Sequence, residues 1–153
     1  MSEATEQTFV IQKIYTKNIS FESPNTPGIF TSEFQPNLEV NLNIESTSLE
    51  AHLYHVILRV TATTKVEERT AFLCEVEQAG IFSLKGFSKD ELSYLLGSQC
   101  PGTLFPYARE AISDLVTRGG FPQLLLEPVN FDAMYQGHLD QSQTQKPESE
   151  TAQ

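Results

Sequence analysis

Between Leu38 and Glu45 apolar and polar residues alternate without a break. Leu38, Val40, Leu42 and Ile44 hold one parity, and Glu39, Asn41, Asn43 and Glu45 the other. A period of two sends the sets to opposite faces of an extended chain, which predicts a half-buried strand. Tyr54, Val56, Leu58, Val60 and Ala62 form the buried parity of a further strand. Phe72, Cys74 and Val76 do the same for another, with Leu73, Glu75 and Glu77 exposed on its opposite face. The turn between these two falls in the charged stretch Lys65 to Arg69. An earlier strand, Phe9 to Phe21, alternates on odd positions through Phe9, Ile11, Tyr15, Ile19 and Phe21, although Lys13 and Lys17 interrupt that face. Short connections among the last three strands favour an antiparallel meander.

After the strands the period becomes helical. Ser88-Lys89-Asp90-Glu91 is a capping box, in which the serine and the glutamate each satisfy a backbone N–H of the first turn. Leu92, Leu95 and Leu96 follow, and Gly97 reads as the stop. Pro106 is placed to open a second helix, where its missing N–H costs little. Ala108, Ala111, Ile112, Leu115 and Val116 share one face of it, and Gly119-Gly120 ends it. Asn130 caps a last helix carrying Phe131, Met134, Tyr135 and Leu139 on one side. Between strands one and two, Ser23 to Pro36 holds Pro24, Pro27, Gly28 and Pro36, so it forms neither regular helix nor sheet. Leaving its Ile29, Phe30 and Phe34 in water would forfeit ~1.5–3 kcal/mol each. The loop is therefore expected to pack onto the body and to shape an apolar groove where it crosses sheet and helix. Residues 1–8 and 140–153 are polar and are expected to be flexible tails around a folded unit of residues 9–139.

The 153 residues suit one domain. Acidic residues outnumber basic ones 20 to 10, a formal net charge of -10. Such a surface disfavours nucleic acid and anionic membranes and suits a basic protein patch, although solubility alone explains most of the charge. No run approaches the ~20 apolar residues that span a bilayer. The polar, acidic first residues are the opposite of a signal peptide. Cys74 and Cys100 make no disulfide framework and are expected to stay reduced in the cytoplasm. His52, His55 and His138 lack zinc-site spacing and read as ordinary surface residues. No nucleophile elbow, phosphate loop, dinucleotide fingerprint or HExxH motif occurs. Glu67-Glu68 and Asp90-Glu91 are explained by a turn and a helix N-terminus. No catalytic residue, metal or cofactor is expected.

From Gln99 to Phe131 the chain reads QCPGTLFPYAREAISDLVTRGGFPQLLLEPVNF, a combination more particular than any of its pieces. Upstream stand Ile14-Tyr15-Thr16-Lys17, Phe21-Glu22, Leu58-Arg59-Val60 and Ala71-Phe72-Leu73-Cys74-Glu75-Val76. On these segments the chain resembles the SecB family of bacterial protein-export chaperones over residues 9–139. The resemblance implies an ATP-independent cytoplasmic holdase that binds unfolded precursor proteins, keeps them competent for translocation and delivers them to the motor SecA. It implies a homotetramer, a dimer of dimers, with no cofactor, no nucleic acid and no direct membrane insertion. A SecA-binding surface is implied at Glu22, Leu73 and Glu75, with Asn18 where the family commonly has aspartate. Cys74, Val76 and Gln78 match the family's dimer interface, and a polar Gln78 on the apolar parity is odd for a core but natural for an interface. A client groove is implied between the crossover loop, strand two and the last helix, lined by Phe30, Phe34, Phe131, Met134 and Tyr135. Phe34 stands where many relatives have tryptophan.

The expected fold is α+β: a four-stranded antiparallel sheet with C-terminal helices packed on one side. A hotdog-type acyl-thioester enzyme is a competing class, but it would place a long helix between early strands, and here four strands precede every clear helix. An acidic inhibitor or nucleic-acid mimic would carry a dense stripe of charge, whereas these charges are scattered among apolar positions. Within the chaperone class, a SecB-like partner of a toxin–antitoxin system stays open.

Overall fold

The computed structural model describes the backbone of residues 6–151 and the side chains of residues 6–141. Strands β1 (Thr8–Glu22), β2 (Asn37–Glu50), β3 (Leu53–Val66) and β4 (Arg69–Lys85) precede helices α1 (Lys89–Tyr94), α2 (Cys100–Arg118) and α3 (Phe131–Thr151). The strands form one antiparallel sheet in the order β1-β4-β3-β2. The last three are the expected meander. β1 lies at the far edge beside β4, so the loop after it carries the chain from one edge of the sheet to the other. Part of that loop, Gly28–Thr31, is a 3-10 turn.

The irregular pattern of β1 has a cause in its pairing. Its register against β4 shifts between Ile11 and Lys13 and again between Thr16 and Asn18. Each bulge adds a residue and moves the inward parity by one. Phe9 and Ile11 therefore face inward opposite Leu84 and Phe82, then Ile14 and Thr16 opposite Gly80 and Gln78, then Ile19 and Phe21 opposite Val76 and Cys74. Tyr15, expected inward, points to the other face opposite Ala79.

Even-numbered residues of β3 and β4 make the helix-facing side. Val56, Leu58, Val60, Ala62, Phe72, Cys74, Val76, Phe82 and Leu84 are buried there with Leu104, Phe105, Ala108, Ile112 and Val116 of α2. The 3.6-residue spacing of that α2 stripe lays the helix along β4 and β3, with a few contacts to β1.

Gly97 and Pro106 do not punctuate the helices as expected. α1 begins at the capping box, with Ser88 N–H donating to Glu91 Oε1 (2.9 Å) and Glu91 N–H to Ser88 Oγ (3.2 Å). It then passes without a stop through a π-turn, Leu95–Gln99, into α2. Gly97 is needed for space: a Cβ there would lie 2.6 Å from Tyr135 Cδ1. The π-turn bonds Cys100 N–H to Leu95 O, and it ends where Pro101 has no N–H to give. Pro106 lies inside α2 on its exposed side. The buried stripe outweighs the one bond it removes. Gly119 does cap α2, with Gly120 at φ +89 just beyond. Asn130 Oδ1 accepts from Ala133 N–H (3.0 Å) at the start of α3. The polar stretch expected to begin a tail at residue 140 starts inside α3, whose backbone is helical to Thr151. Residues 1–5 and 152–153 of the two expected tails lie outside the described residues.

Candidate functional site

The sheet's outer face collects the expected partner-binding residues. Glu22 pairs directly with Leu73, Ser20 with Glu75, and Asn18 with Glu77 along the β1–β4 ladder. Directly opposite side chains share a face, so Glu22, Leu73, Glu75 and Asn18 form one surface. Leu73 is 36% exposed at its centre. Across β3, Thr61 opposes Glu75 and Arg59 opposes Glu77. Asn18 therefore faces a carboxylate, and an aspartate there would set two like charges directly opposite.

Arg59, quoted from the sequence only as part of a motif, organises this face. It donates to Glu77 Oε2 at 2.9 Å and lies 3.9 Å from both Glu75 and Glu45. The hydrogen bond to Glu77, and then that carboxylate's charge, raise the guanidinium pKa above its ordinary value. Glu77, expected to be exposed, keeps only 13% of its side chain in solvent. Glu75 retains 35% and accepts from Thr61 Oγ1 (3.2 Å). Farther along the same face, Tyr15 OH lies 2.6 Å from His55 Nε2 with the rings stacked, so His55 is partnered rather than an ordinary surface histidine.

The five expected groove residues fall into three places. Phe30 and Phe34 gather with Phe72 around Phe121, their ring centroids 5.1, 6.1 and 5.0 Å from it. Phe21 completes the cluster at 6.5 Å. Ile29, 2% exposed, fixes the loop as the burial cost requires, while Phe30 stays half exposed. Met134 and Tyr135 line a cleft of about 570 Å³ with Leu42, Ile44, Leu92 and Leu96, and with Lys89 and His138 also in its lining. Phe131 is buried against Phe105 and lines neither. Leu38 and Val40, 40% and 39% exposed, continue the apolar row of β2 between the loop end of the strand and the cleft.

Polar bonds hold α3 against the end of α1 and the π-turn beside that cleft. Asp132 Oδ1 accepts from Ser98 Oγ and from Tyr94 OH (2.8 Å), and Tyr135 OH pairs with Ser93 Oγ (2.8 Å). The Ser98 bond first, then the Tyr94 bond, hold the Asp132 carboxyl below its ordinary range.

Cys74, Val76 and Gln78 are all buried within the chain, at 1%, 0% and 2% exposure. Gln78 has an intramolecular account that pattern reading missed. Its Nε2 donates to Tyr15 O (3.0 Å) and its Oε1 accepts from Thr16 Oγ1 (3.3 Å), just before the second bulge of β1. Burial pushes the Cys74 thiol up to about 11 and the Cys100 thiol up to about 12. Both are protonated and unreactive at neutral pH. Among the described residues no three His, Cys, Asp or Glu side chains gather as a metal site, and no helix is long and apolar enough to cross a membrane.

Comparison with known proteins identifies the family and the fold. Residues 2–142 match the family described as preprotein translocase subunit SecB. A protein-export protein SecB of Hydrogenovibrio crunogenus is 69% identical over 137 residues, covering 90% of this chain and 92% of that protein. One from Methylococcus capsulatus is 51% identical over 144 residues, covering 94% and 93%. A SecB-like chaperone of Mycobacterium tuberculosis, solved in complex with a peptide from the HigA1 antitoxin, shares the fold. Its TM-score is 0.66 at 17% identity, over 79% of this chain and 90% of that one.

Proposed function

The chain belongs to the SecB family, and from that premise we propose an ATP-independent protein-export chaperone that works in the cytoplasm with the two faces of its sheet. Unfolded precursors are held on the helix-side apolar surface: the Phe30–Phe34 loop, the row Leu38 to Ile44 and the cleft at Met134 and Tyr135. Apolar burial is non-directional and methionine adapts its shape, so such a surface accepts many sequences. Binding the unfolded chain opposes its folding by mass action, which requires no hydrolysis or cofactor. The loaded chaperone docks on SecA through the outer face, where Glu22 and Glu75 flank Leu73 and steer a basic partner. The single observation that carries this reading is the separation of an apolar surface from an acidic one on opposite faces of one sheet.

The proposed assembly is a dimer of dimers. β1 leaves an unpaired edge with Phe9, Val10, Ile11 and Ile19 between 37% and 44% exposed, which gives the protomer a physical reason to associate. Cys74, Val76 and Gln78 act on that assembly from beneath, by setting how α2 and β1 lie. Light scattering at micromolar protomer concentration is expected to give about four times the 17.1 kDa chain mass.

An unfolded precursor titrated without nucleotide tests the function. Binding is expected with a Kd in the range of about nanomolar to micromolar, about 8–12 kcal/mol, and the native form of the same precursor is expected not to bind. Equal affinity for both forms, or dependence on ATP, would overturn the holdase. The export role is preferred to a toxin–antitoxin role because the 69% and 51% identical relatives are both protein-export proteins.

A further inference from the structure

The acidic outer face carries Glu22, Glu39, Glu45, Glu75 and Glu77, and among the last three stands the cation Arg59. A lone arginine within a surface meant for a basic partner is a paradox on charge grounds. It repels that partner and cancels part of the field that steers it. The geometry resolves the paradox.

Arg59 does not treat its neighbours alike. It closes a 2.9 Å bond on Glu77, which is largely buried, and stands 3.9 Å from Glu75 and Glu45. Thr61 holds Oε1 of Glu75, the same oxygen that faces Arg59. Glu75 is thus gripped through one oxygen from two directions, while its other oxygen takes part in neither contact. Glu22 has no ion-pair partner among the described residues and stands beside Leu73.

We propose that Arg59 is a positioning residue for partner docking: it withdraws Glu77 from the surface and fixes Glu75 so that one free oxygen, with Glu22 and Leu73, forms the contact offered to a basic partner. The contact this predicts is narrow, a cation at Glu22, a cation at Glu75 and an apolar side chain on Leu73 between them. Glu77 counters the charge of Arg59 and does not touch the partner. Removing Arg59 leaves Glu75 near two uncompensated carboxylates and free to turn, so the geometry is lost although the face becomes more acidic.

Those two consequences have opposite signs, which makes the inference testable. It rests on the SecA-docking reading proposed above. Binding of purified SecA is measured for the full chain, Arg59→Gln, Glu75→Gln and the double variant, with precursor binding and assembled mass as controls for folding. Arg59→Gln is expected to weaken SecA about fivefold or more, through faster dissociation with an association rate unchanged or raised, and to leave precursor binding and mass as they were. In the Glu75→Gln background the same change is expected to do nothing, because there is no carboxylate left to position. Thr61→Val removes the other grip without exposing the Glu77 pair, and it is expected to weaken SecA about two- to threefold with the same dependence on Glu75. Tighter or unchanged binding by both Arg59→Gln and Thr61→Val overturns the positioning role and leaves the docking reading intact. So does an equal loss with and without Glu75, which would place the effect in the fold at large. If the unaltered chain does not bind SecA, or Glu75→Gln binds as well as it does, the docking reading fails and the inference falls with it.

Discussion

Replacing Phe121 by alanine removes the hub on which the crossover loop rests. The ring is 5% exposed and lies between those of Phe21, Phe30, Phe34 and Phe72, at centroid distances from 5.0 to 6.5 Å. Truncating a buried phenylalanine costs about 3–5 kcal/mol, the larger values where the site cannot collapse. Here one wall is the half-exposed Phe30, which can shift inward, so the low end, about 3 kcal/mol, is expected. Phe121→Leu keeps most of the buried volume and loses only the ring-specific geometry, so it should cost less than alanine, about 1–2 kcal/mol in all. Urea unfolding at one fixed protomer concentration measures both, since association adds to apparent stability. Limited proteolysis should show Ser23 to Pro36 opening in the alanine variant ahead of the sheet, and precursor binding should weaken with it. A loss below about 1 kcal/mol for alanine, or a loop as protected as before, would refute the hub.

Gly97→Ala should destabilise by about 1–3 kcal/mol despite alanine's helix propensity, because its methyl would meet the Tyr135 ring at 2.6 Å and push α3 away; a gain in urea stability would contradict this. Glu67 (φ 52) and Glu68 (φ 66) both occupy the left-handed region at the β3–β4 turn, so Glu67→Asn with Glu68→Gly should raise stability by about 1–2 kcal/mol, and a lower Tm would count against it. Asp132 titrates below its ordinary range, so its bonds stabilise the fold above the unfolded pKa and that stabilisation fades as pH falls through the folded value. The stability gap between the unaltered chain and Asp132→Asn should therefore narrow from pH about 7 to pH about 3, and an equal gap at both would contradict the assignment.

What the sequence made legible tracks how local each cause is. β2 and β3 pair in register along most of their length, so Leu38 to Ile44 and Val56 to Ala62 could be read from alternation alone. β1 resisted because two bulges shift its parity twice, and a bulge is set by the partner strand as much as by its own residues. Gly97 and Pro106 misled because, read locally, glycine and proline mark helix ends. Tertiary packing gave Gly97 another use, room for Tyr135, and carried Pro106 inside a helix. On the outer face, parity placed Leu73, Glu75 and Glu77 together, the family resemblance added Glu22, and the ladder sets Glu22 opposite Leu73. Parity could not show that Arg59 lies across from Glu77, or that Gln78 satisfies Tyr15 O, because both depend on which strands are neighbours. Phe121 was quoted only as part of a motif, since a ring cluster drawn from loop, sheet and helix end leaves no periodic trace.

Separate work by the two faces of one sheet is tested most directly by one variant against both ligands. Glu75→Lys reverses a partly exposed charge beside Leu73, on the face away from the apolar cleft. It should reduce SecA binding, by an amount that shrinks as salt rises past physiological strength, where screening reaches over only ~8 Å. Binding of an unfolded precursor should be unchanged. Loss of precursor binding together with SecA binding, at unchanged assembled mass, would contradict the division and move the docking surface elsewhere.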